Sequence, residues 1–111
     1  MHTSLEISAQ RAAELLGEGA TVVDVREAYE REAGHIEGTR HIDLVALAAA
    51  AATIDRTTPV VFYCRVGARS GMAAEAFRAA GYEAYSLDGG LLAWVAAGLP
   101  LVPEGGHVAN H

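Results

Sequence analysis

Cys64 is the only cysteine of the chain, and it is followed by Arg65-Val66-Gly67-Ala68-Arg69-Ser70, a short run with one glycine and two arginines. The nucleophilic form of cysteine is the thiolate, and a free thiol with a pKa of about 8.5 is only ~3% ionised at pH 7. A loop that turns its backbone N–H groups inward and opens a helix lowers that pKa, because the amides and the helix N-terminus both favour negative charge. Such a cradle would hold a persulfide anion equally well. Arg65 and Arg69 would then grip the oxyanion end of a sulfur donor, as guanidinium groups do with planar or tetrahedral anions. Without context a lone cysteine is most often a small buried hydrophobe. Two arginines within five residues and a place just before a glycine-containing loop argue for the nucleophile. A side chain at Gly67 would demand an unfavourable backbone angle or crowd the bound sulfur.

A site of this kind needs a strand to deliver the cysteine and a helix to receive the loop. Pro59-Val60-Val61-Phe62-Tyr63 is a continuous apolar run, as in a central parallel strand covered on both faces, and it ends at Cys64. Ser70 to Ala80 reads as a helix with Ser70 as its N-cap, Ala73, Ala76, Phe77 and Ala80 as its apolar stripe, and Gly81 just past its end. Upstream, Ser8 caps a helix to Leu16, and Thr21 to Val25 is a β-branched strand that ends near Asp24 and Arg26. The polar stretch after it is a short helix or turn, His41 to Leu44 a brief strand, and the Ala-rich segment Leu44 to Ala52 a helix. Tyr82 to Leu87 is a further strand and Leu91 to Ala97 a further helix. Alternating strands and helices imply parallel pairing through right-handed crossovers, hence an open α/β sheet with its site beyond the strands' carboxyl ends.

Asp24 and Arg26 lie where they could reach the loop, with the Asp24 carboxylate anchoring Arg69 or a backbone N–H; a purely structural pair is the competing reading. The chain of 111 residues suits one domain, with a core over about residues 5–101 and a mobile tail over 103–111. Every basic residue is Arg, and the net charge of −6 opposes a nucleic-acid or anionic-membrane partner. The N-terminal residues carry no secretory pattern and no apolar run is long enough to span a bilayer, so a reducing cytoplasm is the expected location. One thiol excludes an intramolecular disulfide. The histidines at 2, 35, 41, 107 and 111 show no supported metal spacing, and neither metal nor organic cofactor is expected.

Three motifs in order resemble the rhodanese family from Ile7 to about Pro100. They are Val23-Asp24-Val25-Arg26-Glu27 with Gly34-His35-Ile36 and Gly38, the loop Cys64 to Ser70, and Gly89-Gly90-Leu91-Leu92-Ala93-Trp94 with Gly98 and Pro100. The resemblance implies a parallel five-stranded sheet flanked by helices on both faces. It also implies a loop cysteine that takes sulfane sulfur from an anionic donor such as thiosulfate and passes it to cyanide in vitro, or to a thiol or protein acceptor. Certain phosphatases share the fold, but their motif has five residues between Cys and Arg, whereas four separate Cys64 from Arg69. The remaining alternative is a protein-binding module or a sulfur relay dedicated to one partner.

Overall fold

The computed structural model describes residues 4–110, so His2 and His111 lie outside the described residues. Five strands, β1 (Glu6–Ile7), β2 (Thr21–Asp24), β3 (Arg40–His41), β4 (Val60–Tyr63) and β5 (Ala84–Leu87), form one parallel sheet in the order β1-β5-β4-β2-β3. The helices are α1 (Ala9–Gly17), α2 (Ala28–Ala33), α3 (Leu47–Ala50), α4 (Ala68–Ala79) and α5 (Gly90–Ala96). Strand parity divides the core in two. Val60, Phe62 and Cys64 pack with Val23, Leu47, Ala73, Ala74 and Phe77 on one face. Val61 and Tyr63 pack with Leu15, Tyr85, Leu91 and Trp94 on the other. Successive strand residues point to opposite faces, so a central strand covered twice must be apolar throughout, and all four residues of β4 are buried.

Several elements depart from the pattern expected of them. The helix expected over Leu44 to Ala52 is a single turn followed by a 3-10 turn over Ala51–Thr53. Asp43 Oδ1 accepts from Ala46 N–H at 3.0 Å, which commits the first residues of the alanine run to a turn. The strand expected at His41 to Leu44 covers Arg40–His41, in register with Val23 and Asp24, although Ile42 and Leu44 N–H still donate to Asp24 and Val25 C=O. β1 is a two-residue edge strand without a sequence pattern of its own.

The tail expected to be mobile is fastened as far as it is described. Val102 and His35 exchange backbone hydrogen bonds of 2.8 and 2.9 Å, His107 N–H donates to Ala33 C=O at 2.9 Å, and Val108 packs on the α1/α5 side of the core. The anchor is a close approach of two glycine backbones. A Cβ on Gly34 would lie 2.6 Å from the His107 carbonyl oxygen, and one on Gly106 would lie 3.1 Å from that of Ala33. Periodicity carries no trace of such an attachment.

Candidate active site

Cys64 leaves β4 fully buried, and its sulfur sits under the first turn of α4. The first N–H groups of a helix have no partner within the helix. No side chain of the N-cap residue, Gly67, meets them. Cys64 Sγ does: it accepts from Gly67 N–H at 3.1 Å and Ser70 N–H at 3.5 Å, and Ser70 Oγ lies at 3.5 Å. Burial alone pushes the Cys64 thiol up, but the Ser70 hydroxyl and the Ser70, Gly67 and Val66 amides outweigh it and hold the pKa below the ordinary thiol value. The loop therefore favours the ionised form of the Cys64 sulfur over the neutral one. Its curl requires Gly67 in the left-handed region, at φ 110°. Of the two penalties expected for a side chain there, the angle is the one the protein itself imposes, since a Cβ would meet Gly89 N and Leu87 O only at ordinary contact distance, 3.7 Å.

Ser70 is not the N-cap expected of it. The helix begins two residues earlier, at Ala68, which places Ser70 inside the first turn with its N–H and hydroxyl both turned to the sulfur. Behind it stands Ser86, fully buried on β5, with Oγ 2.8 Å from Ser70 Oγ. From below, α5 holds the loop's carbonyls: Leu91 N–H donates to Cys64 C=O at 2.8 Å and Leu92 N–H to Arg65 C=O at 3.2 Å. Gly90, at φ 62°, allows this approach, because a Cβ there would overlap the Arg65 carbonyl oxygen and lie 2.7 Å from that of Cys64.

The two loop arginines have different environments. Arg69 forms a two-pronged pair with buried Glu30, Nη1 to Oε1 at 2.8 Å and Nη2 to Oε2 at 3.0 Å. That bond holds its protonated form above the ordinary arginine value, and the charge on Cys64 adds to the effect. Among the described residues Arg65 reaches only Asn110 Oδ1, at 3.4 Å, and its Nε is a buried donor without a hydrogen-bond partner. The guanidinium with capacity to spare for an anion is Arg65.

Asp24 does not anchor Arg69 or the loop. Its Oδ1 accepts from the Arg26 N–H and Nε, and its Oδ2 from Arg26 Nη2 at 2.8 Å and from Arg31 Nη1 at 3.5 Å. The link expected of Asp24 is supplied by Glu30, one helix further on. Arg26 also donates to Gly34 C=O at 2.9 Å and lies over the Tyr63 ring, which ties strand end, tail anchor and core together. Burial, with Asp24 nearby, pushes the Tyr63 hydroxyl up to about 12, so it stays neutral: it accepts from Ile36 N–H at 3.2 Å and lies 3.2 Å from Thr39 Oγ1. Arg26 and Arg31 pair with Asp24, and Arg69 with Glu30. His35 and His41 are bonded to the backbone carbonyls of Arg31 and Arg26, and among the described residues no group of three or more His, Cys, Asp or Glu could hold a metal ion.

The family model for the rhodanese-like domain matches residues 8–97. The chain belongs to the rhodanese-like domain family. This rhodanese is 40% identical over 93 residues to the thiosulfate sulfurtransferase GlpE of Pseudomonas aeruginosa (strain LESB58), across 83% of its own length and 84% of the relative's. It is 44% identical over 93 residues to an HTH-type transcriptional regulator of Mycobacterium tuberculosis, across 81% of the rhodanese but 40% of the regulator. The crystal structure of a rhodanese-related protein from Thermoplasma volcanium superposes with a TM-score of 0.82 at 28% identity, covering 89% of this chain and 98% of that one. Family and relatives together make this rhodanese a sulfurtransferase.

Sequence reasoning missed Glu30 and Ser86, and it placed Gly90 in the third motif without its contact with the loop carbonyls. Ser86 had a signal: it shares strand parity with Ala84 on the buried face, where a hydroxyl requires a partner. Glu30 follows Glu27 at the spacing of the capping box that the structure forms. That local role concealed its second one.

Proposed function

We propose that this sulfurtransferase carries sulfur as a persulfide on Cys64, taking it from thiosulfate. The observation that carries the reading is the ring of Gly67 N–H, Ser70 N–H and Ser70 Oγ around a buried sulfur whose pKa lies below the ordinary value. The Cys64 thiolate attacks the outer sulfur of thiosulfate. A new S–S bond forms, the sulfur–sulfonate bond breaks, and sulfite leaves with the electron pair, so charge is conserved. An acceptor nucleophile then attacks the outer persulfide sulfur and restores the thiolate: cyanide gives thiocyanate in vitro, and a thiol or protein serves in the cell. Arg65 orients the departing sulfonate while the loop amides of Val66, Gly67 and Ser70 hold the negative sulfur. Ala68, the first residue of α4, keeps the ring small. A reducing cytoplasm suits a thiolate that must stay free, and no helix among the described residues is long and apolar enough to cross a membrane.

The test is the intact mass of reduced protein after thiosulfate, beside a Cys64→Ser control. A gain of one sulfur atom, discharged by cyanide and absent from the control, is the expected result. An unchanged mass, or the same gain in the control, would overturn the reading. Partner-dedicated relay predicts the same loading but slow discharge to small acceptors.

A further inference from the structure

Ser86 has no place in the exchange just described, yet its hydroxyl is buried within reach of the group that touches the sulfur. β4 and β5 pair in register with Phe62 beside Ser86, so Ser86 stands on the face that Cys64 occupies two residues further along β4. Its N–H is committed to Leu5 C=O at 2.8 Å. Among the described residues its hydroxyl has one hydrogen-bond partner, Ser70 Oγ at 2.8 Å.

Counting protons orients the pair. A hydroxyl has one proton to give and can accept two, and a buried donor left without an acceptor is costly. Ser70 Oγ has three neighbours: Ser86 Oγ, Cys64 Sγ at 3.5 Å and Gly67 C=O at 3.3 Å. Were Ser70 to donate to Ser86, the Ser86 proton would have no acceptor and the sulfur would lose its hydroxyl donor. With Ser86 donating to Ser70, both protons are placed. The Ser70 proton then faces the sulfur and the Gly67 carbonyl. That carbonyl already accepts from Gly71 N–H at 2.9 Å. A charged sulfur is the stronger claimant.

We propose that Ser86 is a positioning residue for the sulfur-transfer reaction, its hydroxyl donating to Ser70 Oγ and thereby directing the Ser70 proton onto Cys64 Sγ. The inference rests on Cys64 as the reacting group and extends that reading to the opposite strand. Accepting a hydrogen bond makes Ser70 a better donor in turn, since chained hydrogen bonds polarise one another. The effect is confined to the ionised states of Cys64, the thiolate and the persulfide anion.

The experiment is a pH titration of thiolate ultraviolet absorbance, with the spectrum of Cys64→Ser protein subtracted, on the wild type, Ser86→Ala, Ser70→Ala and the double variant. Ser86→Ala should move the midpoint up by about half a unit, which is about threefold less thiolate on the acid side and no change at high pH. The rate of persulfide formation from thiosulfate should follow the same profile. The double variant should match Ser70→Ala alone, because Ser86 acts only through Ser70, and Ser86→Thr, which keeps the hydroxyl, should restore the wild-type midpoint. An unmoved midpoint in Ser86→Ala would overturn the proposal, as would additive shifts in the double variant. A shifted midpoint in protein that gains no sulfur from thiosulfate would support the Ser86 assignment while sinking the carrier reading.

Discussion

Glu30 and Arg69 meet side by side, carboxylate to guanidinium at 2.8 and 3.0 Å, across 39 residues of sequence. The pair joins α2 to the first turn of α4 and fixes the far side of the sulfur loop. Glu30 is fully buried, so its carboxylate cannot turn to solvent when Arg69 is lost.

Glu30→Gln keeps the shape and removes the charge. The charge left behind, Arg69, is partly open to solvent, so the loss should fall below the ~3 kcal/mol of a fully buried pair, and a lowered urea midpoint is the expected outcome. Burial pushes the Glu30 carboxyl up, but Arg69 and the Glu27 backbone bond outweigh it and hold it below its ordinary value. The stability this confers is complete above the unfolded carboxyl value of about 4.3 and is lost as pH falls through the lower folded value. Acid unfolding followed by circular dichroism should therefore show a shallower loss in Glu30→Gln than in wild type over that window.

Arg65→Ala and Arg69→Ala should separate. Removing Arg65 takes away the guanidinium with free donors, so the KM for thiosulfate should rise about tenfold, the scale of one charged hydrogen bond of ~1.5 kcal/mol. Removing Arg69 strands buried Glu30, and thermal melting should show the loss before steady-state kinetics does.

Cys64 itself should write a signature into the stability curve. Its folded pKa is depressed, so the unfolded chain binds more protons between the folded value and about 8.5. Stability of the reduced protein should rise with pH through that window and the increment should be complete above it. Cys64→Ser should lack this rise when both are unfolded in urea at a series of pH values.

Gly90→Ala pushes a methyl group into the Arg65 and Cys64 carbonyls and displaces the loop. A shift of about 1 Å at a reacting centre costs on the order of 100-fold, so sulfur transfer should fall by that much in kcat/KM. Gly34→Ala acts elsewhere: its Cβ overlaps the His107 backbone, so the tail should detach and become the first site of limited proteolysis while Cys64 still loads.

The alternation of strands and helices, the buried central strand and the cysteine at its end were all legible, because each follows from apolar periodicity and from glycine at fixed places. The role of Ser8 as N-cap was legible too, and its Oγ accepts from Arg11 N–H at 3.1 Å. What the chain hid was pairing at a distance. Asp24 lies nearest the loop in the sequence pattern, yet Arg26, two residues away, occupies it, and only the path of α2 brings Glu30 to Arg69 instead. Ser70 looked like a cap because cap and first-turn positions favour the same short polar residues; here the sulfur is the acceptor that a capping oxygen would have been. The tail carried no pattern because backbone hydrogen bonds, let in by the close approach of Gly34 and Gly106, fasten it, and backbone atoms are the same in every sequence.

If Cys64 carries sulfur as proposed, its complete burial would decide which end of the sulfur–sulfur bond an incoming nucleophile meets. A persulfide has two electrophilic atoms about 2.05 Å apart. Attack at the outer one hands the sulfur on, whereas attack at the inner one expels hydrosulfide and leaves the acceptor joined to the enzyme as a mixed disulfide. On the proposed persulfide, an inner sulfur closed in by β4, β5 and the first turn of α4 would let the packing of the protein interior set the regiochemistry and keep a carrier that has no second cysteine from being trapped by its own acceptor.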